Sequence, residues 1–231
     1  MQLGTLPRTT RREPVQQQLL PARLRLPAAV LLVSCVALTT VLAALLVGRG
    51  KPGWLDSVVD PWIQAGLGRF PALLHWLPDL GRLGPVTLMT LALVCACLAT
   101  RRWSGAVLAA VATPVATGLT EYVLKPYVGG PLDAAFPSGH ATSMFALAAT
   151  CAVLLVDPPR RRLPRVVRLL LVLMALALAT AVAAAMVAIG AHTFTEAVAG
   201  AAVGSAVVLA GALILDLVVW PAAWRVIRRP G

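Results

Sequence analysis

Charge is scarce in this chain. Nine Asp and Glu occur in 231 residues, and charged residues of both signs make up only 13%. An ordinary soluble domain carries about 25%, and no stretch here is polar for long enough to form one beside the apolar runs. The cysteines, Cys35, Cys95, Cys97 and Cys151, all lie inside apolar runs. They read as small buried hydrophobes, not as a disulfide framework or a metal cluster. A small-x-small cleavage site is also missing after the first apolar run, so that run is expected to remain in the protein and not to act as a removable signal.

Hydrophobic residues fill 59% of the chain. They gather into runs near 27–48, 84–100, 103–122, 141–156, 169–190 and 197–219. Each is close to the length needed to cross a bilayer. The expected fold is all-α, a polytopic bundle of six transmembrane helices in one domain over 27–222. A polar segment of 1–26 precedes it, and a basic tail of 223–231 follows. The net charge of +11 would suggest nucleic acid in a soluble protein. Here fifteen of the twenty Lys and Arg fall in alternate connections, on one side of a six-span bundle. The positive-inside rule explains them and makes that side cytoplasmic, with both termini inside and no nucleic-acid partner.

The first outer connection is long. Trp54, Leu55, Val58, Val59, Trp62, Ile63 and Leu67 recur at helical spacing, with Asp56 and Asp60 on the other side. An amphipathic segment around 54–77 is expected at the interface, as a cap on the bundle, a lid over a lipid entry route, or both.

The chemistry-bearing residues cluster at the outer ends of the later spans. Phe136-Pro137-Ser138-Gly139-His140 opens one span; Gly190-Ala191-His192 and Glu196 lie at the junction of the last two; Lys125 ends the third. Alternation of the spans brings Lys125, His140 and His192 to one depth on one side. A Ser-Gly turn at a helix start suits a phosphate, because glycine admits close backbone approach and the first N–H groups point outward. Ser138 either donates to that phosphate or only caps the helix. His192 is placed to be a nucleophile, with Glu196 four residues on to fix its tautomer, and His140 to be a general acid. Lys125 supplies positive charge, and Glu121, one turn before it, is placed to pair with it. No metal or other cofactor is needed. His140, His192, Asp133 and Glu196 do not have the spacing of a standard metal cluster.

These residues resemble the type 2 phosphatidic acid phosphatase (PAP2) family, in its integral-membrane branch of bacterial lipid phosphatases. Lys125 matches the lysine of the first motif. Pro137, Ser138, Gly139 and His140 complete the second. Gly190 and His192 match the third in spacing, Glu196 holds its aspartate position, and Gly200 continues the match. The resemblance implies a six-helix core, a phosphohistidine on His192, His140 as acid, and a phosphate held by the remaining motif residues. Two positions depart from the pattern: Leu132-Asp133 stands where the family has arginine-proline, and Ala185-Met186 where it has serine-arginine. Two bidentate phosphate grips are thereby absent. Arg82, just before the second span, is the preferred replacement donor.

The function this implies is hydrolysis of a phosphomonoester or diphosphate of a polyprenyl or glycerol lipid at the extracytoplasmic face of a bacterial cytoplasmic membrane. The Arg- and Ala-rich composition, similar to that of GC-rich bacterial genomes, leans toward a polyprenyl lipid of envelope synthesis. The alternatives are a catalytically degenerate relative that binds or moves lipid or supports a partner, and a transferase that passes the phosphoryl group to another acceptor. Oligomeric state is left open.

Overall fold

The computed structural model describes residues 18–46, 53–128, 136–156 and 163–219. All regular structure among them is helical, as expected. The elements are α1 (Ala22–Leu46), α2 (Trp54–Leu67), α3 (Pro71–Leu80), α4 (Leu83–Ala99), α5 (Trp103–Gly118), α6 (Lys125–Val128), α7 (Gly139–Val156), α8 (Arg165–Ala188) and α9 (Phe194–Ile214). A π-helical turn, Leu119–Leu124, joins α5 to α6, and another, Leu215–Val219, extends α9.

Five helices, counting Trp103–Val128 as one, are long and apolar enough to cross a membrane; the bent pair α3–α4, turned by 60° at its break, makes a sixth when taken as one span. Lipid cannot hydrogen-bond the backbone, so spans of this kind must satisfy their N–H and C=O groups within the helix. The outward faces are correspondingly apolar: Leu26, Val33, Leu88, Val166 and Met174 are all more than half exposed.

The interior is lined by small residues. α7 lies between α5, α8 and α9, and its longest contact is with α9. Gly200 and Gly204, one turn apart on α9, make that contact possible. A Cβ on Gly200 would meet the Ser138 carbonyl and come 3.1 Å from the Thr142 amide; one on Gly204 would meet the Thr142 carbonyl and come 2.9 Å from the Ala146 amide. The obstacles are backbone atoms, so the two helices touch main chain to side-chain-free surface, as in small-xxx-small packing within membranes. Ala141 and Ala146 of α7, which face these two glycines, are fully buried.

At the arginine-rich end, two basic side chains do more than mark topology. The Arg102 guanidinium donates to the Leu154 carbonyl at 2.6 Å, and that of Arg168 to Leu155 and Val156 at 3.1 and 3.0 Å. They satisfy the last carbonyls of α7, where positive charge complements the helix dipole. At the same end, buried Asp216 accepts from the Leu19 and Leu20 amides at 2.8 and 2.7 Å, which fastens the start of α1 to the end of α9.

The amphipathic segment is two helices, α2 and α3, separated by Gly68–Phe70. Trp54, Trp62 and Trp76 are largely exposed. The acidic side of α2, however, does not face water. Asp56 is fully buried, and α2 packs on α8 and α9 through that side.

Candidate functional site

The loop that carries His192 follows from a helix stop. α8 ends at Ala188, and Gly190 adopts φ +71°, a left-handed conformation that glycine accepts without strain. The Gly190 amide donates to the Val187 carbonyl and the Ala191 amide to that of Met186, both at 3.0 Å. This is a Schellman closure. The His192 amide also donates to Met186 at 3.3 Å. Gly190 is therefore a turn residue: nothing lies within 4 Å of its missing Cβ.

α9 then starts with a capping box. Thr193 Oγ1 accepts from the Glu196 amide at 3.4 Å, and Glu196 Oε2 accepts from the Thr193 amide at 3.1 Å. The same Oε2 lies 2.8 Å from His192 Nδ1. A carboxylate only accepts, so Nδ1 is the donor in this bond, and in the neutral ring that tautomer leaves the lone pair on Nε2. Both side chains are mostly buried, at 11% and 14% exposure. Glutamate in place of aspartate thus reaches the histidine while capping its own helix.

The second motif is fixed to the third through backbone. The Ser138 amide donates to the Glu196 carbonyl at 3.0 Å. Ser138 is fully buried; its Oγ accepts from the Ala141 amide at 3.4 Å, and its carbonyl accepts from the Thr142 amide and hydroxyl, both at 2.9 Å. Its hydroxyl occupies the cap position, one of the two roles the sequence left open.

Lys125 reaches the same place from the π turn. Pro126 has no N–H for the Tyr122 carbonyl and its ring crowds that group, and the turn before it is widened, with the Lys125 amide donating back to Thr120. Thr120 and Thr142 are hydroxyl-bonded at 3.1 Å, which ties this turn to α7. Lys125 Nζ bonds both oxygens of Glu121, at 2.7 and 2.8 Å. The pair sits directly over Gly139: a Cβ there would collide with Glu121 Oε1 and lie 3.7 Å from Lys125 Nζ. His192, Lys125, Arg82 and Glu121 all act electrostatically on the His140 ring.

Arg82 follows Gly81, which packs on that ring; a Cβ on Gly81 would be 3.1 Å from His140 Cβ and Cγ. The Arg82 side chain itself is 71% exposed and pairs with Asp79 at 3.1 Å. Ala185 and Met186, which stand where the resemblance expects serine-arginine, are buried in α8. Leu132 and Asp133 lie outside the described residues. Among the described residues, no group of three or more His, Cys, Asp or Glu side chains is arranged to hold a metal ion.

Sequence reasoning missed how the His192 loop is held from outside. Asp56 Oδ1 accepts from the Thr195 amide at 2.8 Å, and its Oδ2 from Thr195 Oγ1 at 2.9 Å and from Gly53 at 3.0 Å. Asp60 accepts from the Phe194 amide at 2.9 Å. Two carboxylates from α2 therefore close the first amides of α9, beside His192. Burial pushes the Asp60 carboxyl upward; the Phe194 bond opposes this, and the Asp56 and Glu196 charges add to it. The signal in the sequence was two of only nine acids, spaced four apart on one helix.

The profile of the PAP2 superfamily matches residues 25–220. The match spans most of the chain, and the chain belongs to that superfamily. Among curated proteins and among solved structures, none matches it.

Proposed function

We propose that this PAP2-superfamily membrane protein is a lipid phosphatase acting on a phosphomonoester or diphosphate of a polyprenyl or glycerol lipid, at the extracytoplasmic face. The observation that carries this reading is the 2.8 Å bond between His192 Nδ1 and Glu196, with His192 and Lys125 both within electrostatic reach of His140. In this reading His192 Nε2 attacks phosphorus, the P–O bond to the lipid breaks, and His140 gives its proton to the leaving oxygen. A water then attacks the phosphohistidine, giving up a proton to the now basic His140. The N–P bond breaks, inorganic phosphate leaves, and both histidines are restored. Glu196 balances the charge that appears on His192 during transfer. Lys125, the first amides of α7 at Gly139, and Arg82 hold the phosphate. The concentration of arginines at the opposite end supports an outward-facing site.

A second reading, a lipid-binding member without turnover, is favoured by one observation: both cations near the site already have carboxylate partners, Lys125 in Glu121 and Arg82 in Asp79. Phosphate release from a panel of polyprenyl and glycerol lipid phosphates, with parent and His192→Ala proteins in liposomes, separates the two. Release by the parent alone is the expected result. No release from any lipid, with lipid still bound, overturns the phosphatase reading. Adding alcohol acceptors and analysing products tests transfer against hydrolysis.

A further inference from the structure

Glu121 has no counterpart among the motif residues, yet its carboxylate lies between Lys125 and the start of α7, the two groups to which the proposed function gives the substrate phosphate. It lies against the Gly139 Cα, at the first turn of α7, and holds Lys125 Nζ with both oxygens. The other helix start in the site is closed, since the first amides of α9 go to Asp60, Asp56 and Thr193. The start of α7 keeps the amides of Gly139 and His140, which by helix geometry have no intrahelical acceptor, beside an ammonium group. A carboxylate there stands in for an anion of the same size and charge sign as a phosphate oxygen pair.

We propose that Glu121 is a specificity-determining residue, an internal anion that occupies the phosphate seat and screens headgroups by charge. This deepens the phosphatase reading and rests on it. A phosphate enters by displacing the carboxylate from Lys125 and from its place over Gly139. The displaced carboxylate stays tethered one turn from Lys125, and each additional negative charge on the headgroup is repelled by it. The Glu121 side chain is 38% exposed against 18% for Lys125, so the carboxylate can swing toward solvent while the ammonium stays. The site therefore favours a single phosphate over a diphosphate, and Glu121 sets that preference.

The test measures binding of orthophosphate and pyrophosphate to the purified full chain in detergent. In parallel, hydrolysis of a polyprenyl monophosphate and a polyprenyl diphosphate is measured, so that free anion and lipid headgroup are read separately. Glu121→Gln keeps shape and removes the charge. It is expected to bind orthophosphate at least about tenfold tighter than the parent, with a larger gain for pyrophosphate and a matching shift toward the diphosphate lipid. Glu121→Asp, one methylene shorter, should show the same direction with a smaller gain, and decides the matter if the glutamine variant does not fold. Lys125→Gln should weaken both anions. Equal or weaker anion binding in the Glu121 variants overturns the proposal, because a residue that only orients Lys125 gives that sign. Expected anion binding with no hydrolysis by the parent of any lipid overturns the phosphatase reading and leaves the phosphate seat standing.

Discussion

Removing the Asp56 carboxylate should release the His192 loop from α2. Asp56 is fully buried and accepts three hydrogen bonds, two of them from Thr195, 139 positions away. In Asp56→Ala the Gly53 amide, the Thr195 amide and the Thr195 hydroxyl lose their acceptor together. Each buried donor left unsatisfied costs about 1–3 kcal/mol. Allowing for partial rehydration at the end of the bundle, the total is roughly 3–5 kcal/mol, which lowers Tm by about 6–20 °C for a chain of this size. Asp56→Asn retains one acceptor oxygen but turns an NH2 toward donors, so it should recover no more than about half of that loss. The assay is thermal unfolding in detergent, paired with steady-state hydrolysis below the transition. Because His192 lies three residues from the released amide, kcat should fall about tenfold or more while KM changes little, even where the protein is fully folded. A Tm within about 2 °C of the parent, or a full kcat, would refute the idea that α2 holds the His192 loop in place.

Gly200→Ala places a methyl group against the Ser138 carbonyl and the Thr142 amide. It should destabilise by about 1–3 kcal/mol and lower turnover at temperatures where the protein is folded, measured by unfolding and hydrolysis together. Asp60 gives a pH dependence. Its folded carboxyl is raised, so its favourable contribution is complete below the ordinary carboxylate range and is lost as pH climbs through the folded value. Asp60→Asn, which still accepts from Phe194, should gain stability relative to the parent as pH rises above the ordinary carboxylate range; a pH-independent difference in Tm would contradict this. Arg82→Ala should raise KM for a lipid phosphate about two- to fivefold with kcat unchanged, a small effect because the side chain is largely exposed. An unchanged KM would remove Arg82 from the phosphate site.

Much of the architecture was legible because hydropathy is summed over some twenty residues and tolerates local detail. The all-helical class and the spans follow from that alone. The bend at Gly81–Arg82 shows where the sum is insufficient. The run that begins near 84 is 17 residues of helix, and α3, read only as part of an interfacial segment, lies against it at 60°. The widened turn before Pro126 was equally hidden, since Leu119–Leu124 has ordinary helical composition and only the proline four residues after Tyr122 forces the change.

What the sequence by itself determined is what depends on near neighbours. Glu121 pairs with Lys125 because four residues make one helical turn, Glu196 folds back over its own N-cap toward His192 in a Thr-x-x-Glu capping box, and Gly190 ends α8 because it accepts a positive φ. Tertiary structure alone decided which distant groups meet. Asp56 and Asp60 have an apolar helix around them in sequence and the start of α9 around them in space. Gly200 and Gly204 are two of 18 glycines until α7 is laid across them, and Glu121 is a local ion pair until Gly139 is found beneath it. A side chain's spacing fixes its direction from its own helix. Its partner is fixed only when the helices pack, because a buried polar group must find its hydrogen bonds wherever the chain has brought a donor.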